Sequence, residues 1–148
     1  MHEVVLGGEG LQLVLRVAGY ERTSLTSGAD ANWLTGEAEM AADPGGSFRA
    51  RRGVSFRTHE LAQFRDALRR VVEDLEGEAV LRQMEDEVGC TIRLHQGAGE
   101  LDAFVRDHVR GVELRAEQVR TDQSYLQGTV RQLDSLVEAF PIKGDGLG

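Results

Sequence analysis

Cysteine, lysine, tryptophan and proline are nearly missing from these 148 residues, with one Cys, one Trp and two Pro in the chain. The lone thiol, Cys90, has no partner for an intramolecular disulfide. The opening MHEVVLGGEG has neither the basic stretch nor the apolar stretch of an export signal. A reducing, cytoplasmic setting is the expectation. No apolar run approaches the roughly 18 residues that a membrane-spanning helix requires, so no membrane partner is expected. Aromatic side chains make up 5% of the chain, too few to stack the successive bases of a nucleic-acid single strand.

Catalytic signatures are also missing. No serine stands in a G-x-S-x-G elbow. His2, His59, His95 and His108 show no recognised zinc spacing to one another or to Cys90. His95 and His108, with Glu100 or Asp107 nearby, could face each other on neighbouring strands; the plainer reading is a pair of solvated histidines. Cys90 falls at an apolar position of an alternating strand, which suits a small core residue better than a thiolate. The expectation is a protein that is not an enzyme, with no cofactor and no metal.

Positive charge is scarce: 25 Asp and Glu face 17 Lys and Arg, for a net charge of -8. A duplex nucleic-acid partner is disfavoured, because phosphate contacts need a concentrated cationic stripe. The excess is uneven. Residues 1–57 carry 6 basic and 7 acidic side chains, whereas 58–148 carry 11 and 18. Two acidic clusters, Glu73, Asp74 and Glu76, then Glu85, Asp86 and Glu87, are candidates for steering a basic protein partner. Their plainer reading is a solvated face. Arg49, Arg51, Arg52 and Arg57 form the one basic cluster. Arg49 and Arg51 are candidates for an acidic partner, against the plainer reading of charges that deter edge pairing.

The apolar pattern sets the architecture. Leu11, Leu13, Leu15 and Val17 recur at every second residue, the period of a strand with one buried face. Val4 to Leu6 precede them as a short strand, joined by a GGEG hairpin turn. Leu34, Ala38 and Met40 share the face of a strand that opens at Trp33, which reads as core. DPGG at Asp43 to Gly46 is a turn signal, and a return strand runs through Phe48, Ala50, Val54 and Phe56 with the arginines on its other side. From Thr58, a plausible N-cap, the period becomes helical through Leu61, Phe64, Leu68, Val71, Val72 and Leu75, with Gly77 just past the end. Strands return at Ala79 to Met84, at Cys90, Ile92 and Leu94, at AFVRDHV and at VELRAEQV.

The segment TDQSYLQGTV, which reads at first like an active-site phrase, opens a last helix whose apolar stripe is Leu126, Val130, Leu133, Val137 and Phe140. Ser124-x-x-Gln127 has the form of a capping box, with Asp122 as the competing cap. Gly128 inside that helix points to close packing against a strand. The fold class is thus α+β: a curved antiparallel sheet of about 7–8 strands with two helices, about 59–76 and 123–140, packed on one face. Length allows one domain, 1–142, followed by a disordered tail, 143–148.

Three phrases in this order, NWLTGEAEM, FRTHELAQFRDAL and VELRAEQVRTDQSYLQGTVRQLDSLVEAFPIKG, resemble the WapI-family immunity proteins and related small bacterial proteins. The resemblance covers about Leu11 to Gly144. It implies a non-enzymatic protein that binds and blocks a toxin domain, and an acidic surface would suit a basic toxin. The competing reading is a small-molecule binder or enzyme that uses the concave side of the sheet, lined by Gln96, Gln118 and Arg120. A homodimer is compatible with either.

Overall fold

The computed structural model describes residues 1–42 and 47–145. The expected turn at Asp43 to Gly46 and the last three residues of the expected tail lie outside them. Four strands, β1 (His2–Gly8), β2 (Leu11–Tyr20), β3 (Trp33–Ala42) and β4 (Phe48–Arg57), form one antiparallel sheet in that order. Helix α1 (Thr58–Asp74) follows. Strands β5 (Gly77–Arg82), β6 (Val88–His95), β7 (Ala98–Asp107) and β8 (Val112–Asp122) make a second sheet, and helix α2 (Gln123–Ala139) closes the chain.

The α+β class, with eight antiparallel strands and two helices, is the one the sequence reading expected. The strands divide into two sheets because the connection from β4 to β5 is a helix. A hairpin there would have kept the pairing continuous. The resulting unit of four strands and a helix occurs twice. The buried positions Leu61, Phe64, Leu68 and Val71 of α1 recur with the same spacing at Leu126, Thr129, Leu133 and Leu136 of α2.

Alternation decides which faces meet. Leu11, Leu13, Leu15 and Val17 are buried in β2, as are Leu34, Ala38 and Met40 in β3. In the second sheet Ala79, Leu81, Cys90, Ile92, Leu94, Leu101, Ala103 and Val105 join the same contiguous cluster. Each fully buried Leu or Phe stabilises the fold by about 1.5–3 kcal/mol relative to exposure. β7 touches β1, β3 and β4, so it crosses the first sheet. The space between the two sheets is therefore filled by apolar side chains. Gln96 and Gln118 sit at positive φ, in a tight turn and a bulge, with their side chains exposed, whereas Arg120 lines an open surface pocket of about 570 Å³ with Glu9, Glu100 and Tyr125.

The helices complete the opposite halves. α1 packs mainly on β5 and α2 on β1, and the two meet where Arg65 and Arg69 bind Asp134. α2 also closes the open edge of β1: the Val5 amide donates to Gln132 Oε1 at 2.8 Å, and Thr129 Oγ1 donates to the Val5 carbonyl at 2.5 Å. Where the β1–β2 hairpin meets β8, the Glu9 amide donates to the Arg120 carbonyl at 2.7 Å. A Cβ on Gly8 would lie 2.5 Å from that same carbonyl oxygen. Of the GGEG glycines, only Gly10 supplies positive φ; Gly8 serves close approach.

Several local expectations shift. The cap position of α1 is Arg57, and the Thr58 hydroxyl instead donates to Asn32 Oδ1 at 2.8 Å. Asn32 also donates to the carbonyls of Gly28 and Lys143 and accepts from the Lys143 amide. Lys143, at the start of the expected tail, is thereby tied to the β2–β3 connection. Trp33 is only partly buried, because its neighbour Leu34 takes the core face; the Arg57 guanidinium lies 5.6 Å from its ring centroid. Arg52 shares the Phe48, Ala50 and Val54 side of β4, opposite to Arg49 and Arg51.

At α2 the cap is Asp122, whose carboxylate accepts from the Ser124 amide at 2.8 Å. The buried stripe runs one position off the expected one at two points, through Thr129 and Leu136 in place of Val130 and Val137, and Phe140 is only partly buried. A Cβ on Gly128 would meet only the Arg131 guanidinium, at 3.8 Å, so no strand packs closely there.

The Glu60 carboxylate joins the two halves. It accepts from the Arg57 amide at 2.7 Å, as the acidic half of a capping box, and from the Met84 amide at 2.6 Å. The buried Gln83 side chain makes a parallel link, donating to the Ser55 carbonyl and accepting from the amides of Glu87 and Val88.

Adjacent substitutions in α2 should act in opposite directions. Gly128→Ala gains about 1 kcal/mol, since the added methyl has room and the helix loses a glycine. Thr129→Val strands the Val5 carbonyl and costs about 1–2 kcal/mol; denaturant unfolding measures both. Desolvation raises the Glu60 pKa above the usual 4.5, against the two amide bonds that lower it. Its contribution to stability is thus fully present below 4.5 and lost as pH rises through the folded-state value. Carbon-13 NMR should find this carboxyl titrating above the ordinary glutamate value.

Candidate partner-binding surfaces

The six candidate carboxylates do not form one face. Glu73 and Asp74 lie exposed in the last turn of α1, and Glu76 follows Leu75, whose left-handed backbone ends the helix. Glu78 opens β5 beside them. The corner is fixed to the β6–β7 turn because the Gly97 amide donates to the Leu75 carbonyl at 2.8 Å. His95 Nδ1 lies 2.7 Å from Glu76 Oε1, and that hydrogen bond holds the Glu76 carboxyl below its usual range. Arg93 pairs with Glu78 at 3.2 Å. Glu73 and Asp74 are left facing solvent at the negative pole of α1, in a turn that holds no basic residue.

Glu85, Asp86 and Glu87 occupy the turn at the far end of β5, about 20 Å away by strand rise. These charges are largely met within the chain. Glu87 pairs with Arg52, and Asp86 with Arg106 at 2.9 Å. Glu85 has its pKa raised by desolvation first and then by the nearby Glu87 and Glu21. His108 Nε2 lies 3.2 Å from the Glu85 carbonyl oxygen and 3.1 Å from that of Asp86. His95 and His108 thus sit at opposite ends of the second sheet and do not converge. Among the described residues no group of His, Cys, Asp and Glu could hold a metal ion. Burial pushes the Cys90 thiol up to about 12, so it stays protonated and unreactive.

The outer face of the first sheet is a set of charge columns. Arg16 on β2 binds Glu3 on β1 at 2.8 Å, and Glu37 and Glu39 on β3 at 2.8 and 3.1 Å. These hydrogen bonds, that to Glu3 foremost, raise its pKa further. Arg49 and Arg51 on β4 lie 3.5 Å from Glu39 and 3.7 Å from Glu37, the outermost column.

A feature missed in the sequence lies beside them. The first half of β4 and the first residues of β8 flank an open groove of about 620 Å³, floored by Val105 and Leu114 and edged by Arg52, Arg106 and Arg110. Phe48 (64% exposed) and Val112 (62%) stand on its rim, and Val109 (92%) tops the adjoining β7–β8 turn. Phe48 fits the alternation of a core strand, but β4 begins before the second sheet covers it. Its place next to the arginine cluster was the available signal.

A family model described as the immunity protein WapI-like family matches residues 4–141. No curated protein matches the chain. Two solved structures are similar in fold. The plant transcriptional regulator PBF-2 is 11% identical with a TM-score of 0.53, the match covering 94% of this chain and 80% of that one. WHY1 from Arabidopsis thaliana is 12% identical with a TM-score of 0.52, covering 94% and 82%. At such identity the likeness concerns the path of the backbone alone. The family match runs from within β1 to just past α2, so the chain belongs to the WapI-like immunity protein family.

Proposed function

We propose that this chain is a non-enzymatic inhibitor that binds a basic toxin domain in the cytoplasm and blocks it. The contact is the acidic corner at the end of α1, where Glu73 and Asp74 stand beside Glu76. The family match over residues 4–141 carries the reading, and the corner gives it a physical basis. Carboxylates at a helix C-terminus face the negative end of the macrodipole, and each costs about 0.3–1 kcal/mol there. A cationic partner removes that cost. The free chain is then less stable than it needs to be at the place where binding requires charge. Glu85, Asp86 and Glu87 contribute less, because Arg52 and Arg106 already neutralise two of them.

The double variant Glu73→Arg/Asp74→Arg separates the two effects. Its thermal midpoint should rise, since cations suit that pole, while its affinity for the basic toxin domain it is proposed to block should fall at least about tenfold at low salt. Unchanged affinity in calorimetry, with the midpoint raised, would move the contact away from this corner.

A further inference from the structure

We propose that the groove between β4 and β8 is a docking site for an extended protein segment that alternates acidic and apolar residues and pairs with the free edge of β4. The groove lies on a different face from the acidic corner, and the proposal stands independently of that reading.

The backbone supplies the first argument. β4 pairs with β3 without a register break, so its residues point their amides and carbonyls alternately toward β3 and away from it. The Ser55 carbonyl accepts from the Gln83 side chain on the side away from β3, which assigns the odd-numbered residues to the outer edge. The outer groups of Arg49 and Arg51 face the same way, and among the described residues no hydrogen bond is made by their amides. β1, the other edge of this sheet, is closed by Gln132 and Thr129; among the described residues no side chain bonds the outer amides of β4 in this way at Arg49 and Arg51.

Charge and apolar surface name the occupant. Arg49, Arg51, Arg52, Arg106 and Arg110 gather around the groove. Each has a carboxylate of this chain nearby, but Arg49 and Arg51 are held loosely, at 3.5 and 3.7 Å from Glu39 and Glu37, with most of each side chain exposed, so these two keep donors for an incoming acid. Phe48 and Val112 leave large apolar surface on the rim. An added strand offers alternate side chains to the two faces: acids for the Arg49 and Arg51 side, apolar residues for Phe48, Val112 and Leu114. A second copy of this chain is the wrong occupant. Antiparallel self-pairing over this stretch sets arginine against arginine, which is destabilising in cross-strand pairs.

The test uses the full chain and three fluorescent probes at low salt: a terminally blocked peptide of about six residues alternating valine and glutamate, its valine–lysine counterpart, and an oligothymidylate of similar length. Anisotropy should show the glutamate peptide binding at least about tenfold more tightly than the other two. Amide exchange followed by NMR should show Arg49 and Arg51 gaining protection when it binds. Arg49→Gln/Arg51→Gln should weaken that binding about tenfold at an unchanged thermal midpoint. If this variant does not fold, exchange in the parent chain decides. Equal or better binding of the oligothymidylate would overturn the proposal in favour of a nucleic-acid surface. Binding of the lysine peptide, no binding of any probe, or glutamate-peptide binding that leaves both amides unprotected would also overturn it.

Discussion

Each four-stranded sheet has an apolar face it cannot cover by itself, and the fold follows from that constraint. The two faces close on each other through β7, which crosses the first sheet. What remains open is closed by exchange, with α1 on β5 and α2 on β1. The polar links follow the same logic. Glu60 ties the start of α1 to the β5–β6 turn, and Thr129 and Gln132 tie α2 to the first strand. Neither half has a complete core, so folding should be cooperative across the whole chain.

The elements legible in the sequence were those whose burial follows a simple period. Leu11 to Val17 and Leu61 to Val71 announced a strand and a helix because apolar residues alone line their buried faces. α2 was legible as a helix but not in its exact facing. Thr129 is buried for its hydrogen bond to Val5, and a polar residue gives no hydrophobic signal. The division into two sheets was hidden because pairing between distant strands leaves no mark in local pattern. Trp33 and Phe48 were misjudged for a shared reason: strand alternation names two faces, but only the packing of another layer decides which of them is covered, and for how far along the strand.

The candidate sites were legible as charge and not as geometry. Sequence placed Glu73, Asp74 and Glu76 in one acidic run and Glu85, Asp86 and Glu87 in another, and both runs are on the surface. It could not tell that one faces solvent while the other is held by Arg52 and Arg106. Likewise Arg49 and Arg51 were visible as a basic pair, but the groove beside them is made by β7 and β8, far away along the chain.

The chain carries an exposed acidic corner and an arginine-edged groove around a packed interior in which Cys90 is buried. The proposed function is inhibition by occupancy of a toxin domain. The most direct measurement is growth of cells that express the basic toxin domain this chain is proposed to block, with the chain supplied at graded amounts. Inhibition by occupancy predicts that growth returns only as the chain reaches at least equal amounts with the toxin. No protection at any amount, or full protection at a small fraction of the toxin's abundance, would contradict it.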